Sequence, residues 1–251
     1  MLKIFNKIRK QLLDENRTGR YIKYAIGEIV LVMIGILLAL QVNNWNQNRQ
    51  LQKEEIKILK SLHKEFSDNL TRFDTIYKLQ EARKNAVITV MTDDIETYTA
   101  EKWDAIHIKV GQIWTFDPLQ GIYNSVINSG KLDLISNDEL KTRISKFQDL
   151  VVDYKEEELN TGKFSQEQLY PEVIQNLPAM FQVWTGIRPR TEEEKQLHKN
   201  EYLKLYRSKS FENMMMFLVG YMQAIFEEGP ILRAEMITII ELLESEIEKY
   251  N

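Results

Sequence analysis

The sequence predicts an all-α protein, with a single N-terminal transmembrane helix followed by an extracytoplasmic helical bundle whose first and last helices are long. Three observations predict this. Residues 25–42, AIGEIVLVMIGILLALQV, hold only Glu28 and Gln41 as polar side chains. Ten glycines and five prolines in 251 residues leave few turns, so regular elements must be long. Two stretches, one after the apolar run and one at the C-terminus, repeat apolar residues at alternating steps of three and four, which is the period of a helix face.

The apolar run comes first. At about 1.5 Å per residue its eighteen residues reach roughly 27 Å, close to the hydrocarbon thickness of a bilayer. A soluble core helix alternates polar and apolar faces, and this one is apolar all round. A cleaved signal peptide fits poorly behind a head of 24 residues and without a small-x-small site before Asn43. Residues 1–24 carry seven basic side chains against Asp14 and Glu15, a net +5, so with −4 on the whole chain the remainder carries −9. The excess of positive charge before the span predicts a cytoplasmic N-terminus and an external body. The division expected is therefore 1–24 as a basic amphipathic head, 25–42 as the span and 43–251 as an extracytoplasmic domain. In the head, Ile4, Phe5, Ile8 and Leu12 share one face among lysines, as in helices that lie on an anionic leaflet.

Within the span, Glu28, Gly35 and Ala39 fall within about 20° of one another around the helix. Gly35 and Ala39 form a small-xxx-small pair that lets a second helix approach closely. Glu28 on the same stripe either packs against that helix, where it could be proton-linked, or reaches back to the cytoplasmic interface.

Beyond the span, Ile56, Leu59, His63, Phe66, Leu70, Phe73 and Tyr77 predict a heptad-like seam. Residues 93–99 break it, and a helix over 100–113 carries Trp103, Ile106 and Val110. Asp117 before Pro118 predicts an N-cap with proline in the first helical position, with Ile122, Val126 and Ile127 buried and Gly130 closing the helix in the left-handed region. Ser136 or Asn137 caps the next helix, expected to reach Asn160 with Leu140, Ile144, Phe147, Val151 and Tyr154 on one side. Residues 161–190 contain Pro171, Pro178 and Pro189 and predict an irregular packed loop around Tyr170, Phe181 and Trp184. Thr191 and Glu194 have capping-box spacing. From Phe211 through Met215, Leu218, Met222, Ile225, Gly229, Leu232, Met236 and Ile239 to Leu243 the rhythm is unbroken, and Pro230 should kink that helix. Packing it antiparallel to the post-membrane helix, with the middle helices completing a bundle, is the simplest architecture.

Readable chemistry is absent. No cysteine means no disulfide, no thiolate nucleophile and no cysteine metal site. No phosphate-binding glycine loop, HExxH or GxSxG occurs. His63, His107 and His198 stand far apart in the chain without ligand spacing, and the acidic runs 156–158 and 192–194 read as solvated helix faces. The negative body argues against nucleic acid as partner. No catalytic, cofactor or metal residue is predicted, and no enzyme.

The run YAIGEIVLVMIGILLALQVNNWNQNR, with Phe116-Asp117-Pro118 and the segment NSGKLDLI over 128–135, resembles the domain-of-unknown-function 6090 family, single-span envelope proteins of Bacteroidetes-type bacteria. The resemblance implies an inner-membrane anchor and a helical extracytoplasmic domain. It brings no activity and no catalytic residues. Two readings follow. The first is an inner-membrane-anchored scaffold or interaction subunit, touching the lipid bilayer and a second copy of itself or another envelope protein. The alternative is a periplasmic ligand-binding module of sensor type that needs a separate output subunit. An apolar pocket near Trp103, Trp114, Phe116 and Trp184 would favour the sensor. A filled core with exposed apolar surface would favour the scaffold.

Overall fold

The computed structural model describes residues 18–178 and 188–250. Among them every regular element is helical, so the fold is all-α. The main helices are α1 (Thr18–Thr92), α2 (Ala100–Gly111), α3 (Gly121–Asn128), α4 (Asp138–Phe164), α5 (Tyr170–Asn176), α6 (Glu192–Tyr206) and α7 (Lys209–Glu248). The amphipathic helix expected in the head lies outside the described residues, as do Phe181 and Trp184.

The chain divides into two compact units, Met1–Ile56 and Lys57–Asn251. In the first, the described part is uninterrupted α-helix. Between residues 25 and 42 all side chains but Ala25 and Glu28, which are half-buried, stand exposed. The second unit begins at Lys57, so the exit segment NNWNQNRQ groups with the apolar run.

The second unit is built on three long helices. Phe66 meets Phe147 at 4.8 Å and Phe73 meets Tyr154 at 5.3 Å, so α1 and α4 run in the same direction. The pairs His63–Glu244, Asp74–Arg233 and Lys84–Gln223 hold α7 antiparallel to α1, as the sequence predicts. α7 comes close to its neighbours at Gly229. A methyl group there would overlap the Tyr77 ring and lie 3.3 Å from Tyr154 Cε2, so only glycine lets α7 sit this deep between its neighbours. One core, centred on Phe73, Phe147 and Tyr154, lies between α1, α4 and the second half of α7. A second, centred on Trp103, Tyr202 and Phe211, lies between the end of α1, α2, α6 and the first half of α7. Each large apolar side chain closed off in this way contributes about 1.5–3 kcal/mol.

All ten positions of the predicted α7 stripe, Phe211 to Leu243, are buried, and α7 continues through Pro230 as one helix. The five residues expected to face inward on α4 are buried too, and Asn137 rather than Ser136 is its cap, accepting the Leu140 N–H at 2.9 Å. Gly130 has φ 70° as the left-handed residue after α3. The Thr191 capping box is closed by both of its hydrogen bonds, 3.2 and 2.8 Å.

Four expectations are corrected. Asp117 does not cap α3, which begins at Gly121. Residues 112–120 have no regular structure, Asp117 pairs with Lys155 at 2.8 Å, and Ile122 is 38% exposed while Tyr123 takes the buried place. The stretch 161–190 is not a loop throughout. α4 reaches Phe164, passes through one wide turn, Ser165–Leu169, and continues as α5. Pro171 is tolerated because it stands in the first turn of α5, where an amide hydrogen is not required. The α1 seam is centred about one residue earlier than predicted. Leu62 and Asn69 are buried where His63 and Leu70 are only half-buried, because α1 contacts α4 and α7 on adjoining stripes rather than a single partner. Finally, Glu158 is not on a solvated face and is only 3% exposed.

Candidate functional site

The segment 112–120 and the helix ends flanking it form a strap held to α1 by side chains that bond its backbone. Arg83 Nε donates to Val110 O at 2.9 Å, and Gln80 Nε2 to Trp114 O at 3.0 Å. Arg72 Nη2 donates to Asp117 O at 3.1 Å. Asn69 donates to Leu119 O at 2.8 Å and accepts from Leu119 N at 2.7 Å. Glu65 accepts from Ile122 N and Tyr123 N, both at 2.7 Å. Residues 65, 69, 72, 80 and 83 step by three, four or their multiples, so they share one face of α1. The strap runs antiparallel along that face. The Glu65 carboxylate also does for α3 what a local N-cap does elsewhere, since it satisfies two amides at the positive end of the helix.

α4 adds Glu158 to the strap. Its Oε1 accepts from Phe116 N at 2.8 Å and from Gln80 Nε2 at 2.6 Å, and its Oε2 has only a longer share of Phe116 N at 3.1 Å. Gln80 Oε1 in turn accepts from Tyr154 OH at 2.6 Å. Burial pushes the Glu158 carboxyl up to about 7, against the pull of these hydrogen bonds. Arg83, also buried, is drawn down to about 10 by desolvation, and it binds Ser165 Oγ at 2.8 Å.

The second core carries another polar cluster. Asp104 is ion-paired with the buried side chain of Arg190 and accepts from Tyr202 OH at 3.3 Å. Arg190 Nη1 lies 2.7 Å from His198 Nδ1. A guanidinium only donates, so that nitrogen accepts and the imidazole is neutral; burial and then Arg190 hold its pKa down. His107 shares a 3.0 Å hydrogen bond with Tyr206, and burial draws its pKa down to about 4. Distant in sequence, His107 and His198 converge on Tyr202, with ring centroids 5.0 and 6.5 Å away. Beside this cluster is a cavity of about 460 Å³, bounded by Asp104, His107, Tyr170, Val173 and Tyr202 among others. Among the described residues no three His, Asp or Glu side chains gather as a metal site.

The residues singled out from sequence do not meet in one place. Trp103 is fully buried in the second core, stacked on Tyr202 at 5.5 Å. Phe116 is fully buried in the first core, edge-on to Phe73 at 5.2 Å. Trp114 is half-buried and contributes its carbonyl to Gln80. Trp184 lies outside the described residues. In the first unit, Gly35 and Ala39 are exposed and Glu28 is half-buried. On the outer side of α7, Met216, Phe217 and Tyr221 are exposed, Phe217 by 65%, and Tyr221 lies 5.0 Å from Phe164 on α4.

Sequence reasoning missed Glu65, Asn69, Gln80, Arg83 and Glu158. One signal was present. Several of these polar residues stand in phase with the buried apolar ones, and a polar side chain at a core position needs a partner.

A family model described as a family of unknown function (DUF6090) matches residues 28–175. The chain belongs to this family. The matched region begins at Glu28 and takes in all but the first three residues of the apolar run, all of the α1 face that holds the strap, the strap itself and Glu158, and it ends in α5. The family's shared segment thus contains the complete strap, while α6 and α7 lie beyond it. No curated protein and no solved structure matches the chain.

Proposed function

We propose that this protein is a non-catalytic scaffold or interaction subunit. Residues 25–42 anchor it in the inner membrane with its N-terminus cytoplasmic and its helical body in the periplasm. The observation that carries this reading is a contrast in burial. The described helix holds one stretch long and apolar enough to cross a membrane, none of it buried, whereas the body closes two filled cores of its own. Water would not tolerate the first, and a bilayer would.

The partner proposed in the membrane is a second copy of this chain. A Cβ added at Gly35 meets nothing within 4 Å, so the Gly35/Ala39 face is open to a helix approaching closely. Exposure of Met216, Phe217 and Tyr221 on the body supports an interaction role over a catalytic one. The test is the mass of the full-length protein purified in gentle detergent. A defined oligomer that Gly35→Leu dissociates is expected; a monomer in both would refute self-association.

The sensor reading has one observation in its favour, the cavity of about 460 Å³ beside Asp104 and His107, a volume suited to a small ligand. Native mass spectrometry of the same preparation distinguishes the two, since a retained small molecule on a monomer would move the assignment to a binding module.

A further inference from the structure

We propose that Glu158 is a proton-operated latch on the strap. Protonated, it holds residues 112–120 closed between α1 and α4; ionised, it lets them loosen. The placement of the carboxyl group carries this. Glu158 is 3% exposed, and its hydrogen-bond donors, the Phe116 amide and the Gln80 carboxamide, are both neutral. An ionised carboxylate removed from water without a counter-charge is costly unless the structure opens to rehydrate it.

The charges around it do not compensate. On α4, Lys155 is one turn away but pairs with Asp117 at 2.8 Å. Asp117, on the strap, adds negative charge. Arg83, one turn beyond Gln80 on α1, directs its guanidinium at Val110 O and Ser165 Oγ. Tyr77 on α1 and Tyr154 on α4 both have their pKa raised, chiefly by burial, and stay neutral. α7 packs on Tyr77 and Tyr154 through Gly229, which carries no charge.

The geometry also provides for the proton. Both short hydrogen bonds end on Oε1, so a proton on Oε2 leaves the Phe116 and Gln80 bonds intact. A groove of about 630 Å³ lies along the strap and α4, lined by Thr115, Asp117, Pro118, Lys155 and Glu158 itself, so water is adjacent. The sign follows from linkage. The closed strap raises the carboxyl above its ordinary value of 4.5, to about 7, and an opened strap returns it to water. Closure therefore takes up a proton: it is favoured below the ordinary value and weakens as pH rises from there through about 7.

Hydrogen–deuterium exchange of the full chain in detergent, read on peptides spanning 112–120 and corrected for intrinsic rates, tests this. Between pH 5 and pH 8 protection is expected to fall on the order of tenfold or more in the wild type, while peptides from α7 stay level. Glu158→Gln, which keeps an acceptor at one position and cannot ionise, should hold the strap at its low-pH protection throughout. A flat wild-type profile would overturn the proposal without need of the variant, and so would a Gln variant that keeps the wild-type slope.

Discussion

α1 and α7 are the two longest helices of the molecule, and they are made in different ways. The α7 stripe consists of apolar residues and one glycine, with Glu246 alone as a charged buried residue beyond it. In its second-unit part, α1 buries Glu65, Asn69, Gln80 and Arg83 beside Leu62, Phe66 and Phe73. α7 holds its place by filling space between helices. α1 does that on one side and uses its other face to satisfy the backbone of a segment with no regular structure. A helix that only fills space can be read from periodicity alone. A helix that also recruits a loop carries polar residues where periodicity asks for apolar ones, and its seam is correspondingly misjudged.

Three substitutions break or sharpen this contrast, each measured by urea unfolding of the full-length protein in detergent. The largest effect is expected for Leu232→Ala on α7. This residue is 1% exposed in the first core, and truncation there should destabilise by about 3 kcal/mol through lost burial and the cavity left behind. Next comes Glu65→Ala on α1. It strips two amides at the start of α3 of their acceptor, for a loss of about 2 kcal/mol, and Glu65→Gln should recover part of it because one carbonyl oxygen remains. If Glu65→Ala proved harmless, the polar face of α1 would be incidental. Thr191→Ala is the smallest, about 1 kcal/mol, since it removes one of the two hydrogen bonds of a partly exposed cap.

The last two variants mark the limit of what the sequence discloses. Thr191 and Glu194 cap their own helix across three residues, and that spacing is visible in one dimension. Glu65 caps α3 from 57 positions away, so in the sequence the start of α3 has no local partner and the nearby Asp117-Pro118 reads as its cap. The α7 stripe, the α4 face, the Gly130 turn and the apolar run were legible because each depends on local period or local backbone conformation. Glu158 was obscured by its neighbours. In the run Glu156-Glu157-Glu158 three identical residues span most of a helical turn, and although Glu158 follows Tyr154 by four residues and so continues the buried α4 stripe, a run of acids reads as a solvated face. The Asp104–Arg190–His198 cluster joins α2 to the start of α6, and no spacing rule connects residues 86 and 94 positions apart.

Surface loops normally absorb insertions and deletions, because nothing fixes how much chain lies between two helices. The strap lacks this freedom. Its backbone is fastened at Val110, Trp114, Asp117, Leu119 and Ile122 to side chains rooted in a rigid helix, so its length is set by the spacing of those roots. Removing a single residue between Gly111 and Pro118 would shift every later attachment by one place and leave several buried polar groups facing the wrong atom. Variants that lengthen or shorten the chain should therefore survive far less often between residues 112 and 120 than variants that only exchange side chains there.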